Sequence, residues 1–179
     1  SRMIVLCIDL DGTLVRTDTA RDAAIQMFKR NPLLVFLFPF WLLGGLAAMK
    51  RQIAKRVTID PSQLPYNKAL VEWIKDEKAK GRKVVLVTAT DQAFAQTVAD
   101  HVGLFDEVMA SDGKTNLRAA NKREALTKRF GVKQYDYAGN DTPDLAVWEG
   151  VNKAIVVNPS KPSLIDRCRR IAEIDRIFP

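Results

Sequence analysis

The feature that most constrains the fold is an apolar run, residues 4–8, that ends in two aspartates near the start of the chain. The run reads Ile-Val-Leu-Cys-Ile, and this pattern predicts a strand buried on both faces. Asp9 and Asp11 follow it, and then Gly12 and Thr13 turn the chain. Open α/β sheets bind ligands at the carboxyl ends of their strands, so the carboxylate pair marks a candidate site. A strand followed by a simple Asp-containing turn is the alternative interpretation.

Apolar runs alternate with helical patterns along the rest of the chain. Strands are predicted at 83–88, 105–110, 135–138 and 154–157, and helices at 91–102, 118–129, 145–149 and 163–174. This alternation predicts an α/β fold, with a Rossmann-like parallel sheet and helices on both faces. The mostly helical residues 19–80 are too long for a simple crossover between strands one and two, so they predict an inserted helical cap. The predicted core then comprises 1–18 and 81–179.

Residues 32–49 of this cap carry no charge over eighteen positions. That length is at the lower limit for a membrane span, but Pro39 and Gly44 interrupt the segment. We therefore expect a buried helical hairpin, with a surface that dips into a membrane as the alternative. Basic residues follow at once, and they indicate either contact with anionic headgroups or a solvated helix face: Lys50, Arg51, Lys55 and Arg56. The combination of the apolar segment and these charges fits membrane contact through residues 32–56 and a solvated helix face equally well.

The overall charge and the cysteine content narrow the environment and the partners. A net charge of +7 suits an anionic partner, namely a phosphorylated substrate, a membrane surface or a nucleic acid. Basic and aromatic residues do not interleave, so no nucleic-acid partner is expected. Cys7 and Cys168 are too few for a disulfide framework and predict free thiols in a reducing compartment. We expect a cytoplasmic location, peripheral at or tethered to the inner face of the membrane.

Polar residues also follow the later predicted strands. Thr88 ends the second strand, and its hydroxyl and the backbone N–H groups of the following loop can hold a phosphate. Lys122 lies on the helix before the fourth strand, where a lysine can neutralise phosphate oxygens and a carboxylate together. The loop after the fourth strand contains Asn140, Asp141 and Asp144, whose oxygens suit Mg²⁺. A polar helix cap is the alternative interpretation of that loop.

Together these positions resemble the haloacid dehalogenase-like (HAD) hydrolase superfamily, chiefly through the string Asp-Leu-Asp-Gly-Thr at residues 9–13. The resemblance implies that Asp9 is the nucleophile that forms an aspartyl-phosphate. It implies that Asp11 is the general acid and base, and that its backbone carbonyl binds Mg²⁺. The remaining catalytic residues that it implies are Thr88, which holds the phosphoryl group, and Lys122, which stabilises its charge.

The resemblance also assigns the binding residues. The implied phosphate-binding residues are Gly12, Thr13, Thr88, Ala89 and Lys122, and the implied metal ligands are Asp9, Asp11, Asn140, Asp141 and Asp144. The family usually has Gly-Asp-x-x-x-Asp in the last motif, whereas this chain has Asn140 in place of the first aspartate. Either Asn140 or the neighbouring Asp141 can complete the metal site.

A closer resemblance involves four strings: the one from Asp9 to Thr19, Leu-Pro-Tyr-Asn at 64–67, residues 104–117 and Tyr-Ala-Gly-Asn at 137–140. They resemble the N-terminal hydrolase domain fused to UbiA-type prenyltransferases. This implies a Mg²⁺-dependent phosphatase that acts on a phosphorylated small molecule or on a polyprenyl- or lipid-linked phosphate. The alternative is a weakly active or inactive module with a regulatory or membrane-docking role, associated with a prenyltransferase.

Overall fold

A single parallel sheet organises the structure, which is a computed structural model that describes residues 3–179. Ser1 and Arg2, which the predicted core segment includes, lie outside this range. The strands are Val5–Ile8 (β1), Val84–Asp91 (β2), Glu107–Ser111 (β3), Tyr135–Gly139 (β4), Ala154–Val157 (β5) and Ile174–Phe178 (β6). Their order is β3-β2-β1-β4-β5-β6, and every neighbouring pair is parallel. The predicted α/β fold with a Rossmann-like parallel sheet is confirmed.

Strand β1 lies in the middle of this sheet. Leu6 pairs with Val84 of β2 on one side and with Asp136 of β4 on the other. The chain runs outward from β1 to β2 and β3, and then returns to β4 on the opposite side. This reversal of strand order leaves a crevice at the carboxyl ends of β1 and β4, the usual ligand position in such sheets. Asp9 follows β1 directly and therefore lies at the crevice.

Helices cover both faces of the sheet. They are Thr19–Arg30 (α1), Phe38–Leu43 (α2), Leu46–Ala54 (α3), Lys68–Ala79 (α4), Gln92–Val102 (α5), Ala120–Phe130 (α6), Asp144–Trp148 (α7) and Leu164–Arg169 (α8). Alternate residues of a strand point to opposite faces. Leu6 of β1 accordingly packs with α4 and α5, whereas Cys7 packs in a second cluster that includes Leu126 of α6 and Trp148 of α7.

The segment between β1 and β2 contains two different kinds of helix. The first three helices, α1 to α3, are called the inserted helices below, and they pack in a third cluster that includes Met27 and Ile53. Helix α4 instead buries Leu70, Trp73 and Ile74 in the cluster on the sheet. Residues 68–79 therefore pack with the core, although the predicted cap of residues 19–80 includes them.

The apolar residues 32–49 do not form the buried hairpin that we expected, and that prediction is wrong. They form a 3₁₀ turn at Pro32–Phe36, then α2, and then the start of α3 after a break at Gly44 and Gly45. Neither the turn nor α2 contains a buried residue. The breaks leave pieces too short to cover one another. Among residues 3–179, no helix has both the length and the apolar character needed to cross a membrane.

Eight large apolar side chains of this segment are exposed. The most exposed are Leu43 at 84%, Leu33 at 72%, Phe36 at 70% and Phe40 at 69%. The full set, called the apolar face below, is Leu33, Val35, Phe36, Leu37, Phe40, Leu42, Leu43 and Leu46. Exposed apolar residues that gather in one segment mark an interaction surface more often than isolated ones do.

The predicted last helix, residues 163–174, is also too long. Helix α8 ends at Arg169, and Ile174 begins the edge strand β6. Only Phe178 of β6 is buried, while Asp175 and Arg176 are exposed. Charged residues are typical of edge strands, where they discourage pairing with another chain. Because Asp175 and Arg176 interrupt the alternation of apolar and polar residues, the sequence pattern did not predict a strand here.

Candidate active site

Asp9 and Lys122 form a buried ion pair at the base of the crevice. Asp9 follows β1, and Lys122 lies in the first turn of α6, so two separate elements deliver the partners. Lys122 Nζ donates to Asp9 Oδ1 at 3.0 Å. Burial raises the pKa of Asp9 to about 7; Lys122 opposes this shift, whereas Asp144 and Asp11 add to it. The lysine therefore favours the ionised form of a carboxylate that its surroundings disfavour.

Asp11 is held by two threonines at the entrance to α1. Its Oδ1 accepts hydrogen bonds at 2.7 Å from both the backbone N–H and the hydroxyl of Thr19. The Thr90 hydroxyl donates to Asp11 Oδ2 at 2.5 Å. Burial raises the pKa of Asp11, and the hydrogen bonds from Thr90 and Thr19 oppose the shift. The result is a fixed carboxyl group with a raised pKa, two residues from Asp9.

The loop after β4 is organised by Asp144. Its Oδ2 accepts the backbone N–H groups of Asn140 at 2.8 Å and Asp141 at 3.0 Å. Its Oδ1 accepts the Tyr137 hydroxyl at 2.5 Å, and that hydroxyl in turn lies 2.9 Å from Lys122 Nζ. Both oxygens of Asp144 are therefore engaged by the protein. A continuous hydrogen-bonded chain joins this loop to the Lys122–Asp9 pair.

The side chain of Asp141 is engaged by two hydrogen-bond donors of the protein. Asp141 Oδ1 accepts hydrogen bonds at 2.7 Å from the Ser160 hydroxyl and from the Thr142 backbone N–H. These bonds lower the pKa of Asp141, the largest contribution coming from Ser160. Asp141 thus holds its own loop to the loop after β5.

Asn140 lies against the turn that follows β1. The Thr13 hydroxyl donates to Asp9 Oδ2 at 3.1 Å and lies 3.5 Å from Asn140 Oδ1. A Cβ at Gly12 would lie only 2.2 Å from Asn140 Nδ2, and the backbone there has a positive φ of 78°. Glycine is therefore required at this position. It lets the Asn140 amide approach the edge on which Asp9 lies.

A cavity of about 890 Å³ covers these groups. Most predicted site residues line it, namely Asp9, Asp11, Gly12, Ala89, Lys122, Asn140, Asp141 and Asp144. Thr13 and Thr88 are fully buried and do not line it. The Thr88 hydroxyl instead accepts the Thr90 backbone N–H at 3.0 Å, and Thr90 lines the cavity.

The inserted helices supply an apolar wall to the same cavity. Its residues are Ala24 and Phe28 of α1, Phe38 of α2, and Met49 and Ile53 of α3. The rings of Phe28 and Phe38 meet edge to face at 5.6 Å. The cavity therefore receives its carboxylates and Lys122 from the sheet side, whereas the inserted helices add this hydrocarbon and the basic residues Arg21 and Lys50. Phe38 lies between Leu37 and Phe40, which belong to the apolar face.

The basic cluster that follows the apolar segment divides into two pairs. Lys50 Nζ donates to Ala89 O at 3.0 Å and to Asn116 Oδ1 at 2.7 Å. Arg51 forms an ion pair with the buried Asp91 at 2.8 Å. Lys55 and Arg56 are exposed, as the headgroup interpretation requires. Lys50 and Arg51 do not fit that interpretation, because both side chains are engaged by the sheet domain.

Sequence reasoning missed several of these residues. Thr90 stands close behind Thr88 in the sequence, but its bond to Asp11 gave no signal, because the register of β2 shifts between Val87 and Asp91. Tyr137 gave no signal, because a tyrosine inside a buried strand is an ordinary core residue. Thr19 resembled a simple helix-start residue, and its contact with Asp11 depends on how α1 leaves the sheet.

The comparison with known sequences gives one curated relative and no matching family model. The relative is the uncharacterized protein y4nM of Sinorhizobium fredii (strain NBRC 101917 / NGR234), which is 34% identical over 157 residues. The match covers 87% of this chain and 30% of that protein. The chain thus spans less than a third of the length of the curated relative that it matches.

Several solved structures with the same architecture are described as HAD family hydrolases or as phosphatases. The HAD family hydrolase t0658 from Salmonella enterica serovar Typhi has a TM-score of 0.66 and 15% identity, over 97% of this chain and 66% of that one. A phosphoserine phosphatase in its apo form has a TM-score of 0.65 and 18% identity, over 99% and 94%. A predicted phosphoglycolate phosphatase from Haemophilus somnus 129PT has a TM-score of 0.62 and 16% identity, over 98% and 93%. This chain therefore has the fold of the HAD-like hydrolases.

Proposed function

We propose that this chain is a phosphatase that hydrolyses phosphoric monoesters through an aspartyl-phosphate on Asp9. The observation that carries the proposal is the buried pair of Asp9 and Lys122, with the fixed carboxyl group of Asp11 beside it. A nucleophilic carboxylate, a cation and a proton donor are the groups that this reaction needs. The HAD phosphatases with the same fold support the assignment.

In the first step the Asp9 carboxylate attacks the phosphorus of the bound ester. The new bond joins Asp9 oxygen to phosphorus, and the bond from phosphorus to the alcohol oxygen breaks. Asp11 in its acid form protonates the departing alcohol oxygen. Lys122 stabilises the charge on the phosphoryl oxygens, and its contact with Asp9 holds the nucleophile in place.

In the second step a water molecule attacks the phosphorus of the aspartyl-phosphate. Asp11, now a carboxylate, takes the proton of that water, and the bond between phosphorus and the Asp9 oxygen breaks. Inorganic phosphate leaves and Asp9 is restored. One solved structure with the same fold is described as a phospho-aspartyl intermediate analogue of phosphoserine phosphatase, with a TM-score of 0.61 and 16% identity. It supports this route by analogy.

Mg²⁺ is the proposed cofactor, and the residues at the crevice fit a hard cation. The donors would be an Asp9 carboxylate oxygen, the Asp11 backbone carbonyl and the Asn140 amide oxygen. Among residues 3–179, no group of three or more His, Cys, Asp or Glu side chains has the arrangement of a metal site, so the amide and backbone oxygens are needed. The engagement of Asp141 by Ser160, and of Asp144 by three protein donors, favours Asn140 as the third donor. When bound, the ion supplies positive charge to the phosphoryl oxygens.

The substrate is proposed to be a lipid- or polyprenyl-linked phosphate. The cavity supports this because Phe28, Phe38 and Met49 face the carboxylates across it. An apolar group next to the phosphate would find hydrocarbon contacts on that side. We propose that the inserted helices act as the cap, with α4 assigned to the core. Association with a prenyltransferase domain stays a prediction from the sequence strings alone.

Hydrolysis of an aryl phosphate tests the phosphatase proposal. Wild type with Mg²⁺ should release p-nitrophenol from p-nitrophenyl phosphate, and EDTA should stop the release. Asp9→Asn should lower the rate by at least about a thousandfold, because the amide is a poor nucleophile. Equal inactivity of wild type and Asp9→Asn over a broad panel of phosphates, lipid-linked ones included, would reject the proposal.

A second candidate function is a membrane-docking module with weak or no catalysis, peripheral at the inner face of the membrane. The apolar face favours it, together with the charge around that face. Between Asp22 and Asp60 the chain has no acidic residue and six basic ones. Of these, Lys29, Arg30, Lys55 and Arg56 are exposed. An apolar surface with basic neighbours is suited to anionic headgroups.

Vesicle flotation tests this docking. Wild type should bind vesicles that contain phosphatidylglycerol, and binding should weaken with salt. Phe36→Ser and Leu43→Ser should each reduce binding because they remove buried hydrocarbon from the bilayer contact. Val132→Ser is the matched control, since Val132 is also exposed, at 68%. It lies just before β4, at the amino ends of the parallel strands, whereas the inserted helices follow β1 at its carboxyl end. Absence of binding at low salt would reject membrane docking and leave the phosphatase proposal intact.

A further inference from the structure

Lys50 is a cation that the inserted helices place in the cavity without a carboxylate partner. Its ammonium group donates to two neutral oxygens, Ala89 O and Asn116 Oδ1. An ammonium group has three donors, so one N–H is left without a partner among residues 3–179. Lys50 lines the cavity beside the loop that follows β2. A half-buried charge that contacts only neutral groups is unfavourable unless an anion approaches it.

Arg118 is a second basic residue that lines the same cavity as Lys50. Both residues contact Asn116: its side-chain oxygen accepts a hydrogen bond from Lys50 Nζ at 2.7 Å, and its carbonyl oxygen accepts the Arg118 backbone N–H at 2.9 Å. Arg118 lines the cavity, and its side chain forms no ion pair within the described part of the chain. Burial lowers the pKa of Lys50; Asp11 and Asp18 oppose this shift, while the charges of Arg118 and Lys122 add to it. Neighbouring like charges in one cavity are stabilised by a bound anion.

The phosphoryl group that reacts at Asp9 does not account for these two cations. Lys122 already neutralises that position, and it contacts Asp9 directly. We propose that Lys50 and Arg118 form a second anion-binding site in the cavity, which takes a further phosphate or carboxylate group of the substrate. The substrate class is therefore a phosphate monoester with at least one further acidic group, such as a bisphosphate or a phosphorylated acid. This inference rests on the proposed function in that the first acidic group is the phosphate presented to Asp9.

Two non-hydrolysable probes that differ by one acidic group test the second site. Methylphosphonate carries one phosphonate, and methylenediphosphonate carries two on the same carbon. With Mg²⁺ in large excess, isothermal titration calorimetry should show at least about tenfold tighter binding of methylenediphosphonate, as charged hydrogen bonds predict. Lys50→Met and Arg118→Met should each remove most of this gain and leave methylphosphonate binding nearly unchanged.

Lys55→Met is the matched control, because Lys55 is exposed on the same helical segment and does not line the cavity. It should keep the full preference for methylenediphosphonate. Lys50→Met removes two hydrogen bonds, so a loss of folding in that variant would leave Arg118→Met as the deciding one. Equal affinity of wild type for both probes, or a preference that survives Arg118→Met, would overturn the inference. The aryl phosphate assay tests the proposed phosphatase separately, since neither probe is a substrate.

Discussion

The sheet core and the inserted helices are both rich in apolar residues, yet they place them in opposite environments. Leu6 in β1 is fully buried, whereas Leu43 in α2 is 84% exposed. Burial in the core stabilises the fold, since each large side chain leaves water. The exposed residues of the inserted helices do not contribute in this way. The lining of the cavity is divided between the two regions as well. Its carboxylates at Asp9, Asp11 and Asp144 come from the core, and its apolar wall comes from the inserted helices.

A lysine substitution in each region should show the largest difference. Lys122→Met should lower kcat for aryl phosphate hydrolysis by about 10³-fold, because a cation placed for the transition state is lost. Lys55→Met should leave kcat unchanged, since Lys55 lies outside the cavity. Steady-state kinetics on the two variants measure this. Equal rates in both would show that the buried pair with Asp9 is structural only.

Matched leucine substitutions should separate the regions by stability. Leu6→Ala should lower the free energy of unfolding by about 2–5 kcal/mol, because it leaves a cavity in the core. Leu43→Ala should change it by less than about 0.5 kcal/mol, as is usual for an exposed position. Urea denaturation followed by circular dichroism gives both values. A large loss in Leu43→Ala would mean that the apolar face is covered by this chain itself.

Two glycines with positive φ sharpen the same contrast. Gly12→Ala and Gly45→Ala should each lower stability by about 1–3 kcal/mol, because alanine is strained in these conformations. Nothing lies within 4 Å of a Cβ at Gly45, whereas a Cβ at Gly12 would meet Asn140 at 2.2 Å. Only Gly12→Ala should therefore also lower phosphatase activity and the apparent affinity for Mg²⁺. Magnesium titrations of both variants measure this, and equal activities would contradict the assigned role of Asn140.

The smallest effect is expected from the two native cysteines. Cys7 and Cys168 are both free, as the sequence predicted, and the structure shows that both are buried. Burial raises the pKa of Cys168 to about 12 and that of Cys7 well above its usual range. A raised thiol pKa keeps the unreactive protonated form at pH 8, so Ellman's reagent should label neither in the folded protein. An added thiol in Leu43→Cys should react quickly, and fast labelling of Cys7 would indicate an open core.

The sequence predicted most of the core and little of the insertion, for a physical reason. In the core, β-branched runs such as 84–87 are buried on both faces, and that pattern is specific for central parallel strands. In the insertion, an apolar segment looks the same whether the fold covers it or leaves it for a partner. Periodicity alone cannot distinguish these cases, so the hairpin at 32–49 was predicted as buried and is exposed.

The candidate site was predictable where a residue is close in sequence to a strand end. Asp9, Asp11 and Asn140 follow β1 and β4, and all three line the cavity. Their supporting contacts were not predictable, since they join distant parts of the chain. Thr19 and Thr90 hold Asp11 from α1 and β2, and Lys50 reaches the loop after β2 from α3. Roles of this kind depend on the packing of whole elements.

The position of Tyr137 between Lys122 and Asp144 fixes where the protons lie in the resting site. A phenol has a single hydrogen to donate, and here Asp144 receives it. Towards Lys122 the phenol oxygen can only accept, so the lysine must carry the hydrogen of that contact. Burial raises the pKa of Tyr137 well above its ordinary value, so the phenol stays neutral. Tyr137 therefore separates the two carboxylates: its hydroxyl engages Asp144 and orders the loop after β4, while the Lys122 ammonium pairs with Asp9.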